Sequence, residues 1–295
     1  MRVFVTGATG FIGSAVVKEL LDGGHTVLGM ARSDAGMEAV RAAGAETHRG
    51  DLADLESLRA GARNADAVIH TAFIHDFSRM KENCEIDRRA IEAMGEELVG
   101  TERLMIVTSG TGVSRTEAGR VRTEDEPGVS SEIFARGATE EAASAVAGKS
   151  VKVAVVRLPQ VHNTEKAGLV SYTIALAREK GVSPYVGDGS GEWAAAHRLD
   201  VARLYRLALE KGKAARYHAV GEEGVRYKEI AEVIGAGLKV PVKSITPEEA
   251  AAHFGWMAMF LARGMPASSE WTRKELVWEP TGPGLIEDLK KTKYE

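Results

Sequence analysis

The stretch "VFVTGATGFIGSAVVKELL" at 3–21 constrains this chain more than any other. A β-rich run leads into three glycines, Gly7, Gly10 and Gly13, and apolar residues at helical spacing follow. Gly7 permits a tight turn, Gly10 lets the backbone approach a pyrophosphate, and Gly13 lets the helix pack on its strand. The start of that helix offers unpaired N–H groups and the positive end of its dipole to phosphate oxygens. The spacing is GxxGxxG rather than GxGxxG. Its position between strand and helix, at the head of a βα series, still predicts a dinucleotide site built from Gly7, Thr9, Gly10, Phe11, Ile12 and Gly13.

The β-rich runs "RVFVT", "TVLGMA", "AVIHTAF", "RLMIVTSG" and "VKVAVVRLP" alternate with helical patterns such as "SAVVKELLDGG", "DLESLRAGARNA" and "GATEEAASAVAG". That order predicts an α/β fold with a parallel sheet covered by helices on both faces. The second half is less regular. "VSPYVGDGSGEW" reads as a loop rich in glycine and aromatics, and "TPEEAAAHFG" opens a helix with a cap pattern. No repeat or long linker separates the halves, so they are expected to pack as lobes of one unit.

Charge narrows the partners. Thirty-eight basic against 42 acidic residues leave a net charge of −4 and no basic stripe for nucleic acid. No apolar run approaches a membrane span, and the N-terminus reaches a glycine turn too soon for a signal peptide. One cysteine, Cys84, lies on a predicted helix without nucleophile or metal partners nearby and reads as structural. A reducing, cytoplasmic setting is expected. The expected partner is a small-molecule substrate, with no nucleic acid, membrane or metal.

The end of the second strand selects the nucleotide. An acid there holds the ribose 2′-OH of NAD, whereas an arginine accommodates the 2′-phosphate of NADP. Here "VLGMARSD" carries Arg32 and Ser33, and the acid is displaced to Asp34. NADP is the expected cofactor, with NAD left open by Asp34.

These motifs resemble those of the extended or atypical short-chain dehydrogenases/reductases, of the NAD(P)-dependent epimerase/dehydratase type. "TGATGFIG" at 6–13 is similar to that family's opening motif. "GDLADLESL" at 50–58 resembles its third-strand end, where Asp51 and Leu52 would flank the adenine. "VIHTAF" resembles the fourth-strand end, placing Thr71, Ala72 and Phe73 beside the cofactor. "VVRLPQVH" resembles the segment passing the nicotinamide, with Pro159 and Val161, and "HRLDVARLYRLALE" at 197–210 resembles a histidine/aspartate-containing segment of the C-terminal half. The resemblance covers nearly the whole chain. It implies a Rossmann-type doubly wound parallel sheet with a smaller, discontinuous C-terminal substrate lobe. The Rossmann domain would span 1–160 with 195–220, and the lobe 161–194 with 221–295. Homodimers are implied by the same analogy.

The resemblance also marks a departure. Family oxidoreductases use a Tyr-x-x-x-Lys pair with a Ser or Thr, because a phenol needs a neighbouring cation to work near neutrality. In "SSEIFARGATEE" at 130–141, expected to be helical, Arg136 takes the lysine position and Glu132 stands four residues earlier, where tyrosine belongs. No tyrosine precedes position 172. Gly110 takes the place of the usual hydroxyl, leaving Ser109 and Thr111 as substitutes. Arg136 cannot move a proton but can hold ribose hydroxyls or stabilise an oxyanion. Glu132 could transfer protons, or simply pair with Arg136 at i, i+4. His75, beside Asp76, and His162 are the other candidate acid/base groups at strand ends; His197 reads as structural, and Tyr185 and Trp193 as pocket or packing residues. Three functions stay open: an NADP-dependent oxidoreductase on a small carbonyl or alcohol, a silent NADP(H)-binding redox sensor, and an epimerase or dehydratase.

Overall fold

The computed structural model describes residues 1–114, 117 and 120–294. Alternating short strands and amphipathic helices run β1 (Arg2–Thr6), α1 (Gly13–Asp22), β2 (Thr26–Ala31), α2 (Asp34–Ala42), β3 (Glu46–Arg49), α3 (Leu55–Arg63), β4 (Ala67–His70), α4 (Met80–Glu96), β5 (Leu104–Gly110), α5 (Ala138–Ala147) and β6 (Lys152–Leu158). The chain continues through β7 (Gln160–His162), α6 (Val170–Lys180), β8 (Ser183–Val186), β9 (Glu192–His197), α7 (Arg198–Lys211), β10 (Arg216–His218), β11 (Glu222–Arg226) and α8 (Tyr227–Leu238). It ends with β12 (Val242–Ile245), α9 (Pro247–Phe254), α10 (Ala258–Arg263), α11 (Glu270–Leu276) and α12 (Leu285–Lys291).

Seven strands form one parallel sheet in the order β10-β6-β5-β4-β1-β2-β3. This is the Rossmann-type architecture. Side chains alternate across β1: Val3 and Val5 join Val16, Leu20 and Tyr205 on one face, while Phe4 joins Leu58, Ile91 and Met94 on the other. Burying each such side chain contributes about 1.5–3 kcal/mol. The chain leaves β1 toward β2 and later returns to place β4 on its other side. That reversal opens a crevice at the carboxyl ends of β1 and β4, where ligands of open α/β sheets bind.

The remaining elements build a second core around Trp193, Tyr227, Ile230, Phe254 and Leu285. It holds a three-stranded sheet, β11-β9-β7, and the parallel pair β12-β8. The loop expected over "VSPYVGDGSGEW" is therefore partly strand: β8 takes Ser183–Val186, and β9 begins at Glu192. Backbone pairing to β12 and β11 outweighs its glycine-rich composition. The cap at α9 forms as its sequence suggests. Thr246 Oγ1 accepts from the Glu249 N–H at 3.2 Å, and Glu249 Oε2 accepts from the Thr246 N–H at 2.7 Å. Among the described residues, no helix is long and apolar enough to cross a membrane.

One expectation fails. The helix foreseen over 130–141 begins only at Ala138, after a 3-10 turn at Ala135–Gly137. Upstream, the Ile133 and Phe134 N–H groups both donate to the Ser130 carbonyl, closing a separate turn. A Cβ on Gly137 would lie 2.2 Å from the Val129 carbonyl oxygen, so the 129–131 backbone folds back directly against Gly137. The four-residue spacing of Glu132 and Arg136 is thus not a helical face. Glu132 is exposed and does not pair with Arg136.

Candidate functional site

The glycine turn is built as its spacing suggests. Gly7 has φ +68°, and a Cβ there would sit 2.8 Å from the Ala72 nitrogen; a Cβ on Gly13 would meet the Gly7 carbonyl oxygen at 2.0 Å. Both contacts are with backbone, so neither position accepts a side chain without rearrangement. The Gly10 N–H donates to the Gly7 carbonyl at 2.8 Å, closing the turn. The N–H groups of Phe11 and Ile12 have no acceptor among the described residues, and α1 has no side-chain cap. Unpaired N–H groups at a helix start, on a turn too tight for side chains, fit a pyrophosphate.

Two cations from the C-terminal half close on this turn. Arg198, the first residue of α7, donates from Nη2 to Ser14 Oγ at 2.6 Å, and its Cζ lies 4.9 Å from the Phe11 ring centre. Lys166 Nζ lies 5.6 Å from the same ring. A cavity of about 290 Å³ lies alongside, lined by Asn163, Thr164, His197, Arg198, Leu199 and Asp288.

At the end of β2, Ser33 Oγ caps α2 by accepting from the Gly36 N–H at 3.1 Å. A Cβ on Gly36 would lie 3.5 Å from Thr9 Cγ2, so this cap adjoins the glycine turn. Arg49 pairs with Asp34 and donates to the Arg32 carbonyl at 3.2 Å. Arg32 itself stays open: its side chain is 75% exposed, and its nearest acid, Asp51, is 3.7 Å away. Leu52 beside it is buried.

The strand ends at the sheet reversal carry a polar network. Thr6 Oγ1, at the end of β1, donates to His70 Nδ1 at 2.7 Å. His70, at the end of β4, donates from Nε2 to Asp87 Oδ1 at 3.0 Å. Asp87 projects from α4 and accepts through Oδ2 from Arg136 Nη1 at 2.7 Å and from Thr139 Oγ1 at 2.5 Å. Arg136 also donates to Thr139 Oγ1, and from Nη2 to the Thr108 carbonyl at 3.1 Å. Burial alone would raise the Asp87 pKa, but Arg136, His70 and Thr139 together bring it down to about 2. A guanidinium has five N–H groups, and Arg136 uses three here, leaving two without a protein acceptor among the described residues. Its guanidinium carbon lies 3.9 Å from the centre of the Phe73 ring. Thr71 is locked behind the turn by donating to the Thr6 carbonyl at 2.7 Å.

The remaining candidates divide. Ser109 and Thr111 are buried and turn inward: Ser109 donates to Glu140 Oε1 at 2.8 Å, and Thr111 to the Leu158 carbonyl at 3.5 Å. His75 stands near Arg136, between the rings of Phe73 and Phe77. Desolvation by these neighbours, with Arg136 and Lys166 nearby, lowers its pKa. Its Nδ1 donates to the Phe73 carbonyl at 3.1 Å, which leaves Nε2 as a free acceptor. His162 lies elsewhere, in β7. It is fully buried and bonded to Asp288 Oδ2 at 2.7 Å on α12, next to the ring of His197. Val161 is buried in the same core as Val16 of α1 and Tyr205 of α7, and Pro159 links β6 to β7. Cys84 is buried, and burial pushes its thiol up to about 11, as suits a packing residue.

Behind Ser109 lies a second network. Arg157, fully buried in β6, grips Glu140 with Nε to Oε1 and Nη2 to Oε2, both at 2.7 Å, and its Nη1 donates to Ser114 Oγ at 2.8 Å. His218 Nε2 is 3.4 Å from that Nη1. Burial, then the Arg157 charge, pushes the His218 imidazole down to about 4. Its folded pKa therefore lies below its unfolded value of about 6.5. The stability it contributes is complete above pH 6.5 and declines as pH falls toward 4, by up to about 1.4 kcal/mol per pH unit. Urea titrations at stepped pH should show this slope, and His218→Gln should reduce it, the rest coming from His75, His162 and His253, whose pKa values are also lowered by burial; an unchanged slope would show that His218 does not carry the acid sensitivity.

The reversed sheet, the glycine turn and the polar strand ends define a dinucleotide-binding α/β protein. The chain belongs to the NAD dependent epimerase/dehydratase family, whose sequence pattern matches residues 3–221. It is therefore an atypical short-chain dehydrogenase/reductase-like protein of a family that binds NAD(P). It is 46% identical over 294 residues to the uncharacterized protein YLL056C of Saccharomyces cerevisiae, covering 98% of each chain. It is 45% identical over 296 residues to the uncharacterized protein C2A9.02 of Schizosaccharomyces pombe, covering both fully. Among solved structures, the human epimerase family protein SDR39U1 with NADPH superposes with a TM-score of 0.74 at 20% identity, covering 99% of each chain. The Thermotoga maritima UDP-glucose 4-epimerase with UDP-glucose superposes with a TM-score of 0.76 at 22% identity, covering 99% of this chain and 97% of that one. At these identities the likeness is one of fold.

Proposed function

We propose that this protein is an NADP(H)-dependent oxidoreductase acting on a small carbonyl or alcohol, with Arg136 as its electrostatic centre. The observation that carries the reading is the buried hold on Arg136. Asp87, Thr139 and the Thr108 carbonyl fix its guanidinium at the crevice while two N–H groups stay unpaired. A fixed cation with spare donors stabilises negative charge on a substrate oxygen without reorganising. When bound, the cofactor supplies or accepts the hydride. His75, with its proton held on the Phe73 carbonyl and its pKa lowered, presents Nε2 to take a proton from an alcohol. In the reducing direction the same nitrogen returns a proton once charged, or water does so. Glu132, exposed and in its own turn, has no part in this scheme.

Preference for NADP rests on charge at the end of β2. Asp34 is paired with Arg49 at the surface, while Arg32 is exposed and meets an acid only at 3.7 Å, leaving its guanidinium available to a 2′-phosphate. Arg32→Asp should raise the Kd of NADPH about 10- to 100-fold, as expected for a lost charge-assisted phosphate contact, and change that of NADH far less. Isothermal titration with both cofactors decides it; equal losses sink the 2′-phosphate assignment.

Turnover itself is tested by NADPH consumption with a panel of aldehydes and ketones. The inward-turned hydroxyls of Ser109 and Thr111 favour a second reading, a cofactor-binding sensor without turnover. Tight NADPH binding with no consumption across the panel would replace the first reading by the second.

A further inference from the structure

We infer that the wall of aromatic rings beside Arg136 receives a planar aromatic carbonyl compound rather than a sugar. This names the substrate class of the oxidoreductase reading and rests on it. The starting observation is a circuit of rings that leaves the Arg136 segment and returns to it. Phe73 lies under the guanidinium at 3.9 Å, and His75 stands edge-on to Phe73 at 5.3 Å and to Phe77 at 6.3 Å. Phe77 stacks on Trp256 at 4.4 Å with 24° between planes, Trp256 meets Phe260 at 6.1 Å, and Phe260 meets Phe134 at 5.9 Å. Phe134 is two residues before Arg136 in the chain.

The circuit joins both lobes. The strand-end loop after β4 supplies one side, the segment before α5 another, and the 3-10 turn and α10 beyond α9 the third. Its outer rim is open. Trp256 is 46% exposed, and Tyr172, edge-on to Phe77 at 5.3 Å, is 38% exposed. Exposed large rings gathered at one mouth mark a binding surface rather than a core.

The chemistry of this wall selects its ligand. A sugar needs many side-chain hydroxyl, amide or carboxylate partners, and a nucleotide diphosphate needs cations along its length. The circuit offers mainly ring faces and edges; its polar groups are the Tyr172 hydroxyl and Trp256 indole N–H at the rim, one imidazole whose charged form is disfavoured, and one guanidinium, with Lys166 nearby. Ring faces and edges favour a flat π-system in offset or edge-on contact. The two spare N–H groups of Arg136 supply the polar partner for one carbonyl oxygen. In the balanced reaction the carbonyl carbon gains a hydride, its oxygen gains a proton from water or His75, and NADPH becomes NADP+.

The test compares benzaldehyde with cyclohexanecarbaldehyde, which share a six-carbon ring and an aldehyde but differ in planarity. With NADPH, the KM for benzaldehyde should be lower by about tenfold or more, and Trp256→Ala should raise it by about tenfold and close most of that gap. Phe77→Leu keeps apolar volume but removes a ring, and should act in the same direction. Equilibrium dialysis of benzaldehyde against the NADP+-loaded protein reads binding without turnover. Equal KM values for the two aldehydes, or a gap untouched by both variants, overturn the inference and leave the oxidoreductase reading standing. Retention of benzaldehyde, lost in Trp256→Ala, without NADPH consumption supports the aromatic site and overturns that reading instead. Neither consumption nor retention overturns the inference.

Discussion

Asp87→Ala is expected to lower the unfolding free energy by about 3–5 kcal/mol, the range for removing one partner of a buried ion pair. Asp87 is 1% exposed and is the common acceptor for His70, Arg136 and Thr139. Its removal leaves a largely buried guanidinium and a buried imidazole facing each other without an anion between them. The same residue sets an acid limit. Its folded pKa of about 2 lies below the ordinary carboxylate value of 3.8, so the stability it contributes is present above pH 4. That contribution, about 2 kcal/mol, is lost as pH falls from 4 toward 2. The window lies below the one assigned to His218, so urea titrations from neutral pH downward should show two separate declines. In Asp87→Ala the lower decline should shrink by about 2 kcal/mol while the upper persists; the remainder belongs to Glu141, which Arg88 and Ser131 hold down to about 2. An Asp87→Ala protein within about 1 kcal/mol of the parent would show that the network does not stabilise the fold.

Arg136→Met should reduce kcat by about 100- to 1,000-fold, the loss typical when a preorganised oxyanion donor is removed. NADPH affinity should change much less, because the turn at Gly7–Gly13 and Arg32 lie on other elements. Arg136→Lys, which keeps a cation at this place, should keep more activity than methionine. An ammonium can still reach Asp87 but lacks the planar fork that spans Asp87, Thr139 and the Thr108 carbonyl. Steady-state kinetics with cofactor titrations decide the case. Full turnover in Arg136→Met would remove Arg136 from the chemistry, whatever its structural role. Double-mutant cycles with Asp87 should show strong coupling, since the two residues form one unit.

Part of this site was legible before any fold was known. Asp87 lies on the same stripe of α4 as the buried Cys84, Ala90, Ile91 and Met94. An acid within an apolar stripe requires an internal partner, and that signal was readable. Its partner was not, because Arg136 stands 49 residues away. His70 was hidden in the same way, as the last residue of an otherwise apolar strand. Glu132 shows the opposite error. Its spacing from Arg136 matched a helix turn, but α5 starts only at Ala138, after the turn at Ser130 and the 3-10 turn at Ala135–Gly137. His162 likewise read as a strand-end group near the nicotinamide, yet it is taken up by Asp288, 126 residues later.

By itself, the sequence determined the glycine turn, the alternation of strands and helices, and the charge at the end of β2. Each depends on sterics or periodicity within a few neighbouring residues, and such constraints act before distant segments meet. Only the tertiary structure decided which polar groups face the crevice and which turn into the core. A buried charge or hydroxyl must find a partner, and its choice depends on which distant segments the sheet reversal brings together. Thus Arg136 was visible as a cation at a chosen place. Its hold by Asp87, the inward turn of Ser109 and Thr111, and the ring circuit around it came from packing alone.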